Sequence, residues 1–241
     1  GRESLCTAAG FISFSTSGGY AERLACPARQ LLRLPDGLGD EPAAALQIAF
    51  GTAWHMLFTR GRLQMGETVL INSVGSGIGS AAVQLAHLAG ATVIGNASSD
   101  EKLARAGELG MDHGINHASQ DVVAEVMRLT DDRGVELVFE HVGGELFHKG
   151  LESLAKDGRL VICGGHSGEV VPFDIIPFFR AQRQIIGSFV YNRVEVENCL
   201  ELASQGNITP LVHQVFPLAE AREAMATMER REHFGKILLR P

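Results

Sequence analysis

The feature that most constrains this chain is a glycine-rich turn between a short apolar run and a helical pattern. The apolar run, Val69–Ile71, indicates a buried strand, and apolar residues recur at helical spacing over 78–89. Gly75, Gly77 and Gly79 stand between the two segments. Because glycine has no Cβ, it permits a sharp turn and lets a ligand approach the backbone.

A tight turn from strand to helix directs backbone N–H groups and the positive end of the helix towards one point. A pyrophosphate fits at such a point, so the turn predicts a dinucleotide site. The pattern G-x-G-x-x-G is incomplete, because Ser80 occupies the third glycine position when the count begins at Gly75. The alternative interpretation is an ordinary helix start in an α/β domain.

Composition restricts the classes of protein to consider. Of 241 residues, 45% are hydrophobic and 20% charged, which favours a packed core over disorder. The net charge of -7 argues against a nucleic-acid partner, and no apolar run is long enough to make a membrane partner expected. The four cysteines are widely spaced, so we expect reduced thiols in a cytoplasmic protein; they are Cys6, Cys26, Cys163 and Cys199.

Predicted strands and helices alternate through the middle of the chain, which indicates a doubly wound parallel α/β sheet of the Rossmann type. The predicted strands are 67–72, 91–96, 113–116, 135–140, 158–163 and 184–190, and the helices between them are 78–89, 100–109, 119–130 and 144–155. A helix from 42 to about 60 precedes them, and a strand at 24–26 is predicted before it. The tail reads as a helix near 194–205, extended at 210–216, helical at 218–231 and extended again at 235–239.

A series of short segments also occurs in one order along the chain. These segments are Gly18–Glu22, Ala43–Ala45, Gly51–Trp54, Gly66–Ile71, the glycine turn, Ala82–Ala86, Gly90–Ile94, Glu101–Leu103, Glu108–Gly110 and Phe234–Leu238. Together they resemble the medium-chain dehydrogenase/reductase superfamily, in its group of zinc-type alcohol dehydrogenases and quinone reductases. The resemblance implies an oxidoreductase with a nicotinamide cofactor, and a Rossmann sheet with parts of a GroES-like β domain at both ends.

The resemblance divides the chain into three parts. We expect 1–41 to be a remnant of the N-terminal GroES-like catalytic domain, 42–205 to be the Rossmann domain, and 206–241 to return to the catalytic domain. The chain then lacks most of that catalytic domain. Cys6 corresponds to the last of four structural-zinc ligands, but one cysteine cannot form a tetrahedral site, and the alternative is a structural cysteine without metal.

The end of the predicted second strand bears on the choice of cofactor. Ala97 occupies the place where NAD enzymes of the family carry an acid that binds the ribose 2′-hydroxyl. A small residue leaves room for a 2′-phosphate, and Ser98 and Lys102 are the candidate groups to bind it. We therefore expect NADP(H) rather than NAD(H). The alternative is that Lys102 is an ordinary solvated charge on a helix.

The resemblance implies further cofactor contacts at the carboxyl ends of the strands. His117 corresponds to a tyrosine beside the adenosine phosphate in quinone-reductase-like relatives, unless it is an ordinary loop histidine. His141 and Val142 follow the fourth strand, and Cys163 and Gly164 follow the fifth, where the family uses backbone groups. The remaining implied contacts are Thr52, Ser76, Gly77, Ile78, Gly79, Phe189 and Lys236.

A catalytic metal is harder to place. Zinc alcohol dehydrogenases supply their third ligand, a cysteine, at the position of Ile48, and isoleucine cannot bind zinc. The parent protein then uses another ligand or works without catalytic metal, so zinc stays open. No catalytic residue is assigned.

The function expected first is NADP(H)-dependent hydride transfer to or from a small molecule, at a carbonyl or an activated C=C bond of an enone or quinone. The alternatives are a zinc-dependent NAD(H) alcohol dehydrogenase and a non-catalytic nucleotide-binding module. We also expect a homodimer, because 184–189 resembles the edge strand that pairs between subunits in the family.

Overall fold

The computed structural model describes residues 5–8, 10 and 12–241. It confirms the parallel sheet, whose six strands lie in the order β3-β2-β1-β4-β5-β6. The strands are β1 Thr68–Ile71, β2 Thr92–Ala97, β3 His113–Asn116, β4 Val135–Glu140, β5 Leu154–Ile162 and β6 Gln184–Gly187. The chain winds outwards from β1 to β3 and then starts again at β4, so the order reverses between β1 and β4.

Helices connect the strands, as the sequence predicts. They are α1 Asp40–Trp54, α2 Gly77–Leu88, α3 Asp100–Gly107, α4 Val122–Leu129, α5 Gly144–Ser153, α6 Ile175–Arg180 and α7 Arg193–Ser204. The predicted helix over 42–60 forms, but it continues after Trp54 as a π-helix, His55–Arg60. The short helix α6 was not predicted, because its six residues are too few to show a helical period.

Two apolar cores pack on opposite faces of the sheet. Val69 and Ile71 contribute to one core and Leu70 to the other, because neighbouring side chains of a strand point to opposite faces. The first core also contains Phe50 from α1, whereas Val126 from α4 lies in the second. A parallel sheet covered on both faces explains why its strands read as continuous apolar runs.

The extended and helical segments predicted for residues 210–239 are present in the structure. It forms β7 Val212–Pro217, α8 Ala221–Glu229 and β8 Lys236–Arg240, and the two strands pair in parallel as a separate small sheet. The Gly235 N–H donates to the carbonyl of Gly75 at 3.2 Å, which ties the start of β8 to the glycine turn.

The strand predicted at 24–26 is wrong, because these residues have no regular structure and are followed by a short 3-10 helix, Ala28–Gln30. A strand requires a neighbouring strand to satisfy its backbone groups, and the local pattern cannot supply one. In the described part of the chain, no helix combines the length and the apolar character that a membrane crossing requires.

Arg159 forms a group of hydrogen bonds at the amino end of the sheet. The guanidinium of Arg159, on β5, donates to both carboxylate oxygens of Glu67, at 3.0 and 2.6 Å. The same group donates to the carbonyls of Gly61, Arg62 and Glu136, so one side chain joins β5 to β4 and to the segment before β1. The pair is largely buried, with the Arg159 side chain 13% exposed.

Replacing this arginine is expected to destabilise the fold. Arg159→Met leaves the Glu67 carboxylate and several carbonyls short of donors, at a loss of about 2 kcal/mol in the free energy of unfolding. For a chain of this size the loss lowers Tm by roughly 4–8 °C, measurable by thermal melting.

Arg128→Met is the matched control, because Arg128 forms an exposed pair with Glu125 one turn away on α4. Such a pair contributes about 0.5 kcal/mol or less. Equal shifts in Tm for the two variants would contradict the role given to Arg159.

Candidate cofactor site

The glycine turn connects β1 to α2 at the carboxyl edge of the sheet, where the strand order reverses. Ser76 caps α2, and its Oγ accepts the N–H of Gly79 at 2.9 Å. The first turn of a helix carries N–H groups that have no partner within the helix, and its positive dipole end adds to them. The turn therefore presents the kind of surface that binds an anion.

The glycines of the turn have different structural roles. A Cβ on Gly79 would lie 2.3 Å from the carbonyl oxygen of Ser73 and 2.9 Å from Cα of Val74, so only glycine lets α2 pack this closely on the end of β1. This is the role of the third glycine in a dinucleotide fingerprint. The count that placed the third position at Ser80 was therefore wrong by one residue.

Two lysines lie over the other two glycines. A Cβ on Gly77 would lie 2.5 Å from Cδ of Lys236, and one on Gly75 would lie 2.9 Å from Cδ of Lys102. The Lys102 Nζ donates to the carbonyl of Arg231 at 2.9 Å, and burial lowers the pKa of Lys236. Positive charge thus comes to the turn from α3 and from β8, which are far apart in the sequence.

The end of β2 has the small residue noted in the sequence. Ala97 is buried, Ser98 is exposed, and Ser99 caps α3 through a hydrogen bond from the Lys102 N–H at 3.4 Å. Lys102 therefore lies in the first turn of α3, four residues after Ser98. This arrangement fits the predicted 2′-phosphate contacts, which stay predictions.

A chain of buried polar side chains crosses the ends of the central strands. Asn72, Asn96 and Glu140 lie at the carboxyl ends of β1, β2 and β4, and all three are fully buried. Asn96 donates to Asn72, Asn72 donates to Glu140, and Glu140 also accepts the N–H groups of Val142 and Gly143. Burial raises the pKa of Glu140, and these N–H donors counteract the rise.

His117, after β3, extends this chain outwards. Its Nδ1 lies 3.2 Å from Oδ1 of Asn96, which also accepts the N–H of Ser73 at 3.1 Å. The ring is half-buried, and burial lowers the pKa of His117. Our predictions missed one sign of these hydrogen-bonded side chains in the sequence. A polar residue stands at or next to the end of an apolar strand, as at Asn72, Asn96 and Glu140.

His141 lies beneath the glycine turn. Its Nε2 lies 2.9 Å from the carbonyl of Asn72, to which it donates, and 3.4 Å from Oγ of Ser76. Burial lowers the pKa of His141 to about 4, so the ring is neutral at pH 7. A neutral ring committed to a carbonyl is a poor proton donor, which agrees with a backbone role for this position.

The loops that follow β4 and β5 pack tightly together. A Cβ on Gly164 would lie 2.6 Å from the His141 carbonyl oxygen, and one on Gly143 would lie 2.5 Å from the carbonyl oxygen of Gly168. The half-buried Cys163 donates its N–H to the Glu140 carbonyl at 3.2 Å. Burial raises the pKa of Cys163 to about 12, so its thiol is a poor nucleophile.

The remaining predicted contacts differ in their exposure. Thr52 is buried in α1, Phe189 is exposed after β6, and Val142 and Ile78 are half-buried. All four cysteines are free thiols, as predicted, and Cys6 is exposed.

The residues that the structure describes do not form a zinc site by themselves. Ile48 is 60% exposed, and the neighbouring Gln47 forms a hydrogen bond with the phenol of Tyr191. Within residues 5–8, 10 and 12–241, no three side chains of His, Cys, Asp or Glu come together as metal ligands.

Comparison with known proteins agrees with this geometry. The sequence profile of the zinc-binding dehydrogenase family matches residues 77–205. The 2-haloacrylate reductase of Burkholderia sp is 30% identical over 236 residues, which cover 93% of this chain and 71% of that protein. A mycocerosic acid synthase-like polyketide synthase of Mycobacterium tuberculosis is 31% identical over 244 residues, 93% of this chain but only 11% of that much longer protein.

Among solved structures, a NAD-dependent alcohol dehydrogenase superposes with a TM-score of 0.94 at 34% identity, covering 99% of this chain and 69% of that one. The family profile, the relatives and the shared fold all agree. The chain therefore belongs to the zinc-binding dehydrogenase family of the medium-chain dehydrogenase/reductase superfamily, whose members are oxidoreductases with a nicotinamide cofactor.

Proposed function

We propose that this chain binds the coenzyme in an NADP(H)-dependent reductase, which transfers hydride between the nicotinamide and a carbonyl or an activated C=C bond of an enone or quinone. The observation that carries the proposal is the glycine turn at the reversal point of the sheet, with Lys102 and Lys236 above it. Concentrated N–H groups and positive charge suit a pyrophosphate.

The proposed roles of the residues follow from their places at the carboxyl edge. The N–H groups of Gly77 and Ile78 bind the pyrophosphate, and Lys236 offsets its charge. The backbone of Cys163 and Gly164 orients the carboxamide, and Thr52 packs against the ring. When bound, the coenzyme supplies the hydride from its nicotinamide ring.

The preference for NADP(H) rests on the start of α3. The buried Ala97 places no carboxylate against a 2′-phosphate, and Lys102 supplies a positive charge in the adjoining turn. NAD(H) is kept as the alternative, since the alcohol dehydrogenase that shares the fold is NAD-dependent.

The substrate class rests on Ile48, which stands at a zinc-ligand position and cannot bind zinc, and on the relative that reduces 2-haloacrylate, an activated C=C compound. The chain spans about two thirds of its shorter relatives and about a tenth of the polyketide synthase, so the activity of a whole protein is part of the proposal. The loss of NADPH absorbance with an enone, a quinone, 2-haloacrylate and an aldehyde tests it. Coenzyme binding without turnover of any of these compounds would favour the nucleotide-binding module instead.

We also propose the domain division and the homodimer. The segments 1–41 and 206–241 are assigned to the catalytic domain by the resemblance alone. The dimer is supported by β6, which is an edge strand with Ile185 exposed, and by exposed Ile175, Ile176 and Phe179 on the adjoining α6. An open edge with apolar neighbours is suited to pairing with a second copy.

Adding a methyl group to the turn is expected to weaken coenzyme binding without unfolding the protein. In Gly77→Ala the new Cβ meets only the flexible Lys236 side chain within 3 Å, so the fold accommodates it. The methyl group then stands where the pyrophosphate approaches, and Kd for NADPH should rise at least tenfold, or about 1.4 kcal/mol. Fluorescence titration measures the Kd, and thermal melting reports the fold.

Gly107→Ala is the matched control, since a Cβ at this helical glycine meets nothing within 4 Å. Its Kd should equal that of the wild type. An unchanged Kd in Gly77→Ala would refute the proposed pyrophosphate site.

Removing the charge of Lys102 is expected to discriminate between the two coenzymes. Lys102→Ala should weaken NADPH about tenfold more than NADH, because the charge near the pyrophosphate is lost for both coenzymes but the contact to the 2′-phosphate is lost for NADPH alone. Lys156→Ala is the control, because Lys156 is exposed near the amino end of β5, whereas the proposed site lies at the carboxyl ends of the strands. Equal losses for NADPH and NADH would show that Lys102 does not read the 2′-phosphate.

A further inference from the structure

We propose that the buried polar chain Glu140–Asn72–Asn96 fixes which nitrogen of His117 carries the proton, and that His117 thereby distinguishes a ribose 2′-hydroxyl from a 2′-phosphate. The inference rests on the proposed coenzyme function and deepens it, because the His117 N–H donates to the carbonyl of Ala97 at 3.0 Å, which puts His117 beside the proposed 2′-phosphate contacts. It makes the choice between NADP(H) and NAD(H) depend on pH.

The direction of the hydrogen bonds is set at the Glu140 end. Oε1 of Glu140 accepts the backbone N–H groups of Val142 and Gly143, and Oε2 faces the amide of Asn72. A carboxylate only accepts, so Asn72 must present its NH₂ group there. The Oδ1 of Asn72 then faces Asn96, whose NH₂ group donates to it.

The direction is set a second time at Asn96. The backbone N–H of Ser73 can only donate, and it lies 3.1 Å from Oδ1 of Asn96. The Asn96 amide therefore has one orientation, with its oxygen towards Ser73 and its nitrogen towards Asn72. Glu140 and Ser73 therefore require the same orientation of the two amides. If the amides of Asn72 and Asn96 were turned the other way, donors would face donors where all three polar side chains are fully buried.

This polarity decides the tautomer of His117. Its Nδ1 lies 3.2 Å from Oδ1 of Asn96, an atom that only accepts, so Nδ1 carries the proton. In the neutral ring the second nitrogen, Nε2, is then an acceptor. An acceptor can receive the O–H of a ribose 2′-hydroxyl, but a 2′-phosphate has only oxygens to offer, so it is bound when Nε2 is protonated as well.

The charges around His117 come from three elements. Burial and then Lys149, on α5, lower the pKa of His117; Glu145, also on α5, raises it, and Lys102, on α3, lowers it. Asp121, the N-cap of α4, acts on Glu145. The lowered pKa favours the neutral ring when no ligand is bound. A phosphate with two negative charges raises the pKa of the His117 ring. The ring therefore takes up a proton when NADPH binds, but not when NADH binds.

The sign of the pH dependence follows. Above the lowered pKa of free His117, binding that requires proton uptake weakens as pH rises, by at most about tenfold per pH unit for one proton. The preference for NADPH over NADH should then increase as pH falls from 8 to 6.5.

The first test is nitrogen NMR of the protein labelled with ¹⁵N-histidine, without coenzyme. The His117 signals are assigned by their loss in His117→Asn, and we expect the Nδ1–H tautomer in the wild type. In Asn96→Leu, which removes the acceptor, the Nε2–H form should become the main one. A wild-type ring with its proton on Nε2 overturns the proposal, and this result stands even if Asn96→Leu does not fold.

The second test is the Kd of NADPH and of NADH between pH 6.5 and 8. In the wild type the NADPH value should rise about three- to tenfold per pH unit while the NADH value stays constant. His117→Asn keeps an N–H near Asn96 but cannot ionise, so its NADPH binding should lose the pH dependence. His113→Asn is the control, an exposed histidine at the other end of β3, and it should behave as the wild type.

Equal pH slopes for the two coenzymes, or a slope that persists in His117→Asn, would overturn the inference and leave coenzyme binding intact. If neither coenzyme binds at any pH, the proposed function itself fails, which is a different result.

Discussion

The contact between Gly79 and the carbonyl of Ser73 is the constraint on which the site depends. It brings the first turn of α2 against the end of β1, closer than any side chain at position 79 would allow. The N–H groups of the helix, its dipole and the Ser76 cap consequently meet at the reversal point of the sheet. The strand ends and the lysines of α3 and β8 then surround one position, and the proposed pyrophosphate site follows from that closeness.

Burying polar groups beside this turn requires that they satisfy one another. Asn72, Asn96 and Glu140 lie where the strands end, in a region from which water is excluded. Each would destabilise the fold if it lacked a partner, and together they form one chain in which donors and acceptors alternate. The same chain holds the Val142–Gly143 turn on one side and His117 on the other, so the two halves of the proposed site share one hydrogen-bond network.

The predictable part of the molecule is the part that local chemistry controls. The strands β3 and β4 begin and end at the predicted residues, and in β4 the reason is a mostly buried apolar run that ends at Glu140. The strand predicted at 24–26 was wrong because a strand requires a partner that the local pattern does not contain, and α6 was missed because six residues are too few to show a helical period. The third glycine was misplaced because a consensus count does not contain the distance between α2 and β1.

The sequence by itself determined the alternation of strands and helices and the glycine turn, since these depend on residue type and on spacing along the chain. The family resemblance implied that Ile48 stands at a zinc-ligand position, which isoleucine cannot serve. Only the tertiary structure decided that Lys102 and Lys236 meet over the turn, that Gly79 is the close-packing glycine, and that Asn96 joins His117 to Glu140. These contacts connect residues between 6 and 159 positions apart, from Ser73–Gly79 to Gly77–Lys236. Parallel strands bring such residues together at one edge, and no local pattern records which neighbours they will find there.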